Sequence, residues 1–244
     1  LHCHAAGACS HAAPRAVNRT VAFGAPMFCT SAPVWLTAQV IGWSLLLQLV
    51  IGGAISWQLA RRQWAGNPWL DVLVTLPLVF PPIVLGYAIL LLLGRHGWLM
   101  QALPHWMQPE VIFTPAGLVV AAFVAGLPLM VKPTQNAFAS TPSSLREAAA
   151  TFGLSAWQIF WRVELPLARR GIAAGLMLAG GRGLGEVGLS LMLGGNIVGR
   201  TETLSLAIFN QVLDGNLACA NQLSLLLCVL VIPVFLMLRR WGSL

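Results

Sequence analysis

The chain has 244 residues, 57% of them hydrophobic and 9% charged, with a net charge of +7. Soluble domains carry about 25% charged residues, so this composition excludes an ordinary water-soluble fold and points to a chain solvated by lipid. The positive balance is not a nucleic-acid footprint, because no clustered basic face accompanies base-stacking aromatics.

Residues 1–33 read as a disordered, Ala-rich leader. They lack the basic start and continuous apolar core of a signal peptide. His2, Cys3, His4, Cys9 and His11 are metal-ligand types, but their spacing fits no zinc module. The five cysteines are odd in number and irregular in spacing, so no disulfide framework is implied.

Charge-free apolar runs follow at Val34–Ala60, Val72–Gly94, Val111–Val131 and Leu217–Leu238, and a fifth, Gly171–Gly199, is interrupted by Arg182 and Glu186. Each meets the roughly 20 residues that a spanning helix needs. The expectation is an all-α membrane protein of about five transmembrane helices, forming one domain over residues 34–240, with 241–244 as a tail. A β-barrel is excluded, since its strands alternate over about 10 residues.

Lys and Arg gather in cytoplasmic loops. With the N-terminus outside, Arg61, Arg62, Lys132, Arg146, Arg162, Arg169, Arg170, Arg239 and Arg240 fall inside, against Arg15, Arg19, Arg95 and Arg200 outside. That asymmetry favours N-out, C-in, and suits anionic headgroups.

The second run carries Pro77, Pro81 and Pro82, then Gly86. Proline removes a backbone donor and kinks a helix. The plain reading of Pro81 and Pro82 is a packing kink; the functional one is that the bent helix lines a pathway, where freed carbonyls can be satisfied. The loop from Gly94 to Pro115 holds Trp98 and Trp106 as interface anchors, and His96 and His105 as solvated residues rather than ligands.

Residues 141–166 form a cytoplasmic connector. Ser144 and Glu147 have capping-box spacing, and so do Ser155 and Gln158. Gly153 between them suits a left-handed helix stop, and Leu165-Pro166 ends the second helix. Leu145, Ala149 and Phe152 share a face, while Trp157, Phe160 and Trp161 make an apolar patch beside water. Local capping explains Glu147 but not the aromatics. Exposed patches of that kind mark partner sites.

The fourth helix is dense in glycine, with small-xxx-small faces at Gly171/Gly175 and Gly181/Gly185 that allow close helix approach. Arg182 and Glu186 are four apart and can pair. A charge in mid-membrane costs at least about 2.5–3.5 kcal/mol, so both should face protein or water. The two readings are a structural ion pair and a role in gating or pore electrostatics. Thr203–Leu213 is a candidate short surface helix.

The connector resembles the EAA loop of ATP-binding-cassette importer permeases: Glu147-Ala148-Ala149, three residues, Gly153, nine residues, Val163, then Leu165-Pro166. Only Val163 departs from the pattern, which has Ile there. Two further stretches resemble the molybdate permease family. One is Leu76–Tyr87 followed by Gly94–Gly97, and the other is Gly183–Gly188 followed by Gly195–Thr203. Gly181, Val187 and Val198 depart from that family's usual residues. Tungstate and sulfate permeases share much of the pattern.

The resemblance implies a multi-pass permease of the bacterial inner membrane and a homodimer with the anion pathway at its interface. Two ATPase subunits would grip Glu147, Ala148, Ala149, Gly153, Trp157, Phe160, Leu165 and Pro166. An extracytoplasmic anion-binding protein would deliver the cargo. The chain itself needs no cofactor. It has no Gly-x-x-x-x-Gly-Lys-Ser/Thr phosphate loop, so ATP and Mg would be bound by a partner chain. An ion-coupled carrier is the competing transport reading. Such carriers commonly use intramembrane acids and repeated halves, whereas Glu186 is the one membrane acid expected and no repeat is visible. A membrane enzyme is disfavoured because no Ser/His/Asp set lies in the helices.

Overall fold

The computed structural model describes residues 32–61, 67–94, 97, 101 and 111–243. The readings of the leader, of Arg62, and of His96, Trp98, His105 and Trp106 lie outside the described residues.

Every regular element among the described residues is helical. The first run is one continuous helix in three parts: α1 (Ala32–Leu47), a π turn (Gln48–Gly52) and α2 (Gly53–Ala60). The second run splits into α3 (Asn67–Val79) and α4 (Pro82–Leu93). Then come α5 (Pro115–Ala139), α6 (Ser143–Thr151), α7 (Ala156–Ile159) and a second π turn (Phe160–Glu164). The order ends with α8 (Leu165–Leu184), α9 (Gly188–Gly194), α10 (Leu204–Leu213) and α11 (Leu217–Ser243).

Two helices, Pro33–Ala60 and Pro115–Ala139, are long and apolar enough to cross a bilayer, and a third span results if α8 and α9, bent by 66°, count as one. This corrects the expected five among the described residues. The cause is local chain chemistry. Pro81 takes extended geometry (ψ 135°) and interrupts the second run. The fourth run begins earlier than expected, at Leu165, and breaks after Leu184. The apolar part of α11 is Leu217–Pro233, below span length.

Two connector details also differ from expectation. No Ser144 capping box forms: α6 starts at Ser143 after Pro142, with no side-chain cap. Leu165-Pro166 does not end a helix, because the chain passes through the π turn straight into α8, with Pro166 in its first turn. A proline in this continuous path lacks the amide that would bond back one turn, and the π turn lies where that bond is missing.

α5 is the central helix. Its residues Leu118, Ala121, Ala122, Ala125 and Val131 are buried in clusters shared with Leu85, Leu189 and Leu193, with Val40 and Leu206, and with Leu59 and Val74. α8 crosses α5 closely. A Cβ on Gly175 would stand 2.8 Å from the Met130 carbonyl oxygen, and one on Gly171 would stand 2.3 Å from Ala137 Cβ. Small residues let backbones meet where lipid offers no hydrophobic driving force. Gly181 has nothing within 4 Å, so its side of α8 is open within this chain.

Gln48, buried in the first π turn, donates to the carbonyls of Ala122 (3.3 Å) and Phe123 (3.4 Å) and ties α1 to α5. Ser56 donates to Val131 O at 3.3 Å. Large apolar side chains such as Leu225, Val229, Ile232 and Leu236 on α11 are exposed, as a surface facing lipid requires. Cys228 is a free, exposed thiol.

Candidate functional site

Two places gather the residues singled out by sequence. The first is the connector between α5 and α8. In α6 only Ala149 is buried; Glu147 and Ala148 are exposed, and Phe152 is 86% exposed. Gly153 takes φ +77° with no atom near its missing Cβ, so glycine is favoured there by backbone conformation alone. Gly153 N–H donates to Ala150 O and Leu154 N–H to Ala149 O, closing α6. The Ser155–Gln158 capping box forms in both directions, at 2.9 and 3.4 Å.

It launches α7 so that Trp157, Phe160 and Trp161 meet as a mutual aromatic cluster, with centroids 5.5–5.8 Å apart. Phe160 roots this cluster in the membrane helices through Trp57 (5.4 Å, edge-on) and Phe138 (6.2 Å, stacked). Trp157 and Trp161 remain exposed. The result is a rigid aromatic knob projecting from the helix bundle.

Glu164 is the residue that sequence reasoning missed. It is 3% exposed. Its Oε2 accepts from Trp57 Nε1 at 2.7 Å and lies 3.5 Å from Arg61 Nη2, while Oε1 lies 3.5 Å from Arg146 Nε. Arg61 also stacks over the Trp57 ring at 3.9 Å. Arg146 donates from Nη2 to Thr141 O at 3.0 Å. One carboxylate thus joins the end of α2, the start of α6 and the π turn before α8. The Arg146 contact is ionic rather than a tight hydrogen bond, since Arg146 Nε is buried without a hydrogen-bond partner, and Arg61 approaches at the same 3.5 Å through Nη2. The available sequence signal was slight: an acid next to Leu-Pro in an otherwise amphipathic connector.

The second place is where two helix breaks meet. Pro81 is exposed and Pro82 half-buried at the start of α4. A Cβ on Gly188, the first residue of α9, would meet Pro82 Cβ at 3.0 Å and Glu186 Oε1 at 3.5 Å. The four pathway candidates therefore form one neighbourhood. Arg182 Nη1 lies 2.5 Å from Glu186 Oε2. Glu186 Oε1 accepts from Leu189 N–H at 2.8 Å, capping α9. Glu186 is buried, whereas the Arg182 side chain is 35% exposed. The carboxylate is spent on the α9 amide and on Arg182, and part of the guanidinium faces outward. Such a face can attract an anion without holding it as tightly as an unpaired cation would.

The loop after α9 is firmly built. Thr201 donates to Gly194 O at 2.7 Å and accepts from Ile197 N–H at 2.9 Å. Asn196, Asn210 and Glu202 form a side-chain network. Ser205 donates to Leu184 O, and Leu204 N–H donates to Thr37 Oγ1 at 2.8 Å. Among the described residues no group of three or more His, Cys, Asp or Glu is placed to hold a metal.

Residues 48–241 match the family of binding-protein-dependent transport system inner membrane components. The chain is 32% identical to the molybdenum transport system permease protein ModB of Haemophilus influenzae, over 85% of this chain and 91% of that protein. It is 31% identical to the sulfate transport system permease protein CysW of Synechocystis, over 78% of this chain and 68% of that one. Its fold is similar to a bacterial ABC transporter involved in the import of the acidic polysaccharide alginate, with TM-score 0.65 and 15% identity over 88% of this chain and 79% of that chain. This membrane-embedded helical chain thus belongs to the ABC-transporter permease family of binding-protein-dependent transport systems, and within it closely resembles the molybdate and sulfate permeases.

Proposed function

We propose that this chain is the permease subunit of an ATP-driven oxyanion importer whose cargo is molybdate. The observation that carries this reading is the similarity to a molybdenum permease over nearly the full length of both proteins. The sulfate permease is covered less completely. Five crossings result if the broken pairs α3–α4 and α8–α9 each pass the bilayer as one bent span and α11 tilts through as another. The N-terminus then lies outside, and the connector lies in the cytoplasm.

Two copies of the chain line the pathway, with Arg182, Glu186, Pro81 and Pro82 beside it. The knob around Gly153, Trp157 and Phe160 seats in a groove on each of two ATPase subunits, which bind ATP and Mg. An extracytoplasmic binding protein delivers the anion. The exposed aromatic knob supports the docking step, because exposed apolar surface next to water favours a partner. The chain supplies a path and a lever and no catalytic group.

Uptake of radiolabelled molybdate by cells expressing this chain with its ATPase and binding protein tests the proposal, with tungstate and sulfate as competitors. Molybdate uptake that excess sulfate does not suppress is the expected result. Uptake of sulfate in preference to molybdate would overturn the cargo assignment and favour the reading supported by the sulfate relative. Failure to co-purify an ATPase subunit would overturn the coupling assignment.

A further inference from the structure

A cleft of about 570 Å³ opens beside the connector, lined by Leu145 of α6 and by Arg162, Val163, Pro166, Leu167, Arg169 and Arg170. Three guanidinium groups and no carboxylate line it. The nearest acid in sequence, Glu164, is buried and committed to Trp57, Arg61 and Arg146. Arg162 and Arg170 are exposed and make no ion pair or hydrogen bond among the described residues. Arg162 and Arg170 therefore bring uncompensated positive charge to the cleft. Its other walls are apolar, and Leu145 and Leu167 are exposed.

Depth sets the class of ligand. Arg170 is the last charge before the charge-free stretch Gly171–Gly181 of α8. At 1.5 Å rise per residue, Arg162 and Arg170 are separated by about 12 Å along the chain axis. The headgroup zone on each side of a bilayer is about 5–8 Å thick, so Arg169 and Arg170 enter it as the apolar stretch enters hydrocarbon.

We propose that this cleft seats an anionic phospholipid, its phosphate between Arg162 and Arg170 and its acyl chains along Leu167 and α8. Guanidinium binds phosphate as a planar fork, and basic pockets at the membrane face hold anionic headgroups. An acidic protein segment would use the same charges, but Arg170 stands where the charge-free stretch of α8 begins, at headgroup depth. The lipid sits between α6 and the start of α8, beside the connector. The inference rests on the membrane-permease reading, but not on the cargo or the ATPase.

The test is native mass spectrometry of the full-length chain, with phosphatidylglycerol and phosphatidylcholine of identical acyl chains. Selective retention of phosphatidylglycerol is expected. Each basic residue near a membrane surface contributes about 1 kcal/mol, about fivefold, so Arg162→Gln with Arg170→Gln should weaken retention by roughly 25-fold. Arg162→Lys with Arg170→Lys should keep most of it, which separates charge from folding. Equal retention of both lipids by the wild type would overturn the proposal. So would full displacement of phosphatidylglycerol by millimolar inorganic phosphate, which would mark a free-anion site. Unchanged lipid selectivity with lost ATPase co-purification in the Gln pair would also overturn it, showing a protein seat. Lipid retention itself needs neither cargo nor ATPase, so its failure would leave the proposed transport function standing.

Discussion

Replacing Glu164 should detach the connector from the membrane helices. The carboxylate is 5% exposed and faces Trp57, Arg61 and Arg146. Removing one partner of a fully buried ion pair costs about 3–5 kcal/mol. Here each arginine keeps about a third of its side chain exposed and stands at 3.5 Å, so water can take up part of the loss. The Trp57 N–H bond to a charged acceptor adds about 1.5–3 kcal/mol, and these contributions are not additive. We therefore expect Glu164→Ala to destabilise the fold by about 3 kcal/mol, at the lower end of the buried-pair range. Glu164→Gln keeps an acceptor for Trp57 and should cost about half as much, roughly 1–2 kcal/mol.

Reversible unfolding of the purified chain in mixed micelles gives the free energies, and limited proteolysis at the Phe152–Ser155 turn gives connector mobility. The order should be wild type, Gln, Ala in both. Arg146→Gln combined with Glu164→Gln should be less harmful than the sum of the single changes, because no uncompensated charge remains at that contact. If Ala and Gln behave alike, with proteolysis unchanged, the carboxylate does not anchor the connector and the reasoning fails.

Gly153→Val forces a β-branched residue to φ +77° and should cost roughly 1–2 kcal/mol, whereas Gly153→Asn should be tolerated; ATPase co-purification and uptake check the difference, and normal values for the Val variant would remove the turn from coupling. Gly175→Ala drives a Cβ to within 2.8 Å of a backbone oxygen on α5 and should lower stability by about 1–3 kcal/mol. Gly181→Leu points into open space within the chain; if a second copy packs there, it should spare monomer stability and reduce assembly, as read by cross-linking or mass photometry. Glu186→Gln keeps an acceptor for Leu189 N–H, so Arg182→Gln with Glu186→Gln should assemble normally. Full uptake by that assembled double variant would leave the pair as packing alone.

The sequence was legible where the signal is local. The Ser155–Gln158 spacing fixes a cap within four residues, and Gly153 marks the left-handed turn that stops the helix before it. The same spacing misled at Ser144, because Pro142 takes the N-cap position and starts α6 two residues sooner. Hydropathy saw apolar length but not helix breaks. Gly185 and Glu186 interrupt the fourth run without changing its mean character, and only the carboxylate bound to Leu189 N–H shows a new helix beginning. The Arg182–Glu186 contact was readable because it spans one helical turn. The Glu164 contacts were not. They join residues 107 apart in one direction and set the geometry of a tertiary corner, and a single sequence holds no period that would reveal it.

The two π turns bear on how this chain tolerates changes of length. Each is a segment in which the helix carries one more residue than an α-helical path needs, so the surplus is taken up locally and the helix on either side keeps its facing. Deleting a single residue within Phe160–Glu164 would let that turn relax to ordinary winding, with Trp157 still on the side of the bundle where Phe160 now meets Trp57 and Phe138. Deletion within Gln48–Gly52 would likewise leave Ser56 facing Val131 and Trp57 facing Glu164. A deletion in the plain α-helical part of α8 has no surplus to absorb it and would rotate everything before it by about 100°. One-residue deletions should therefore be better tolerated inside the two turns than in the helices they join.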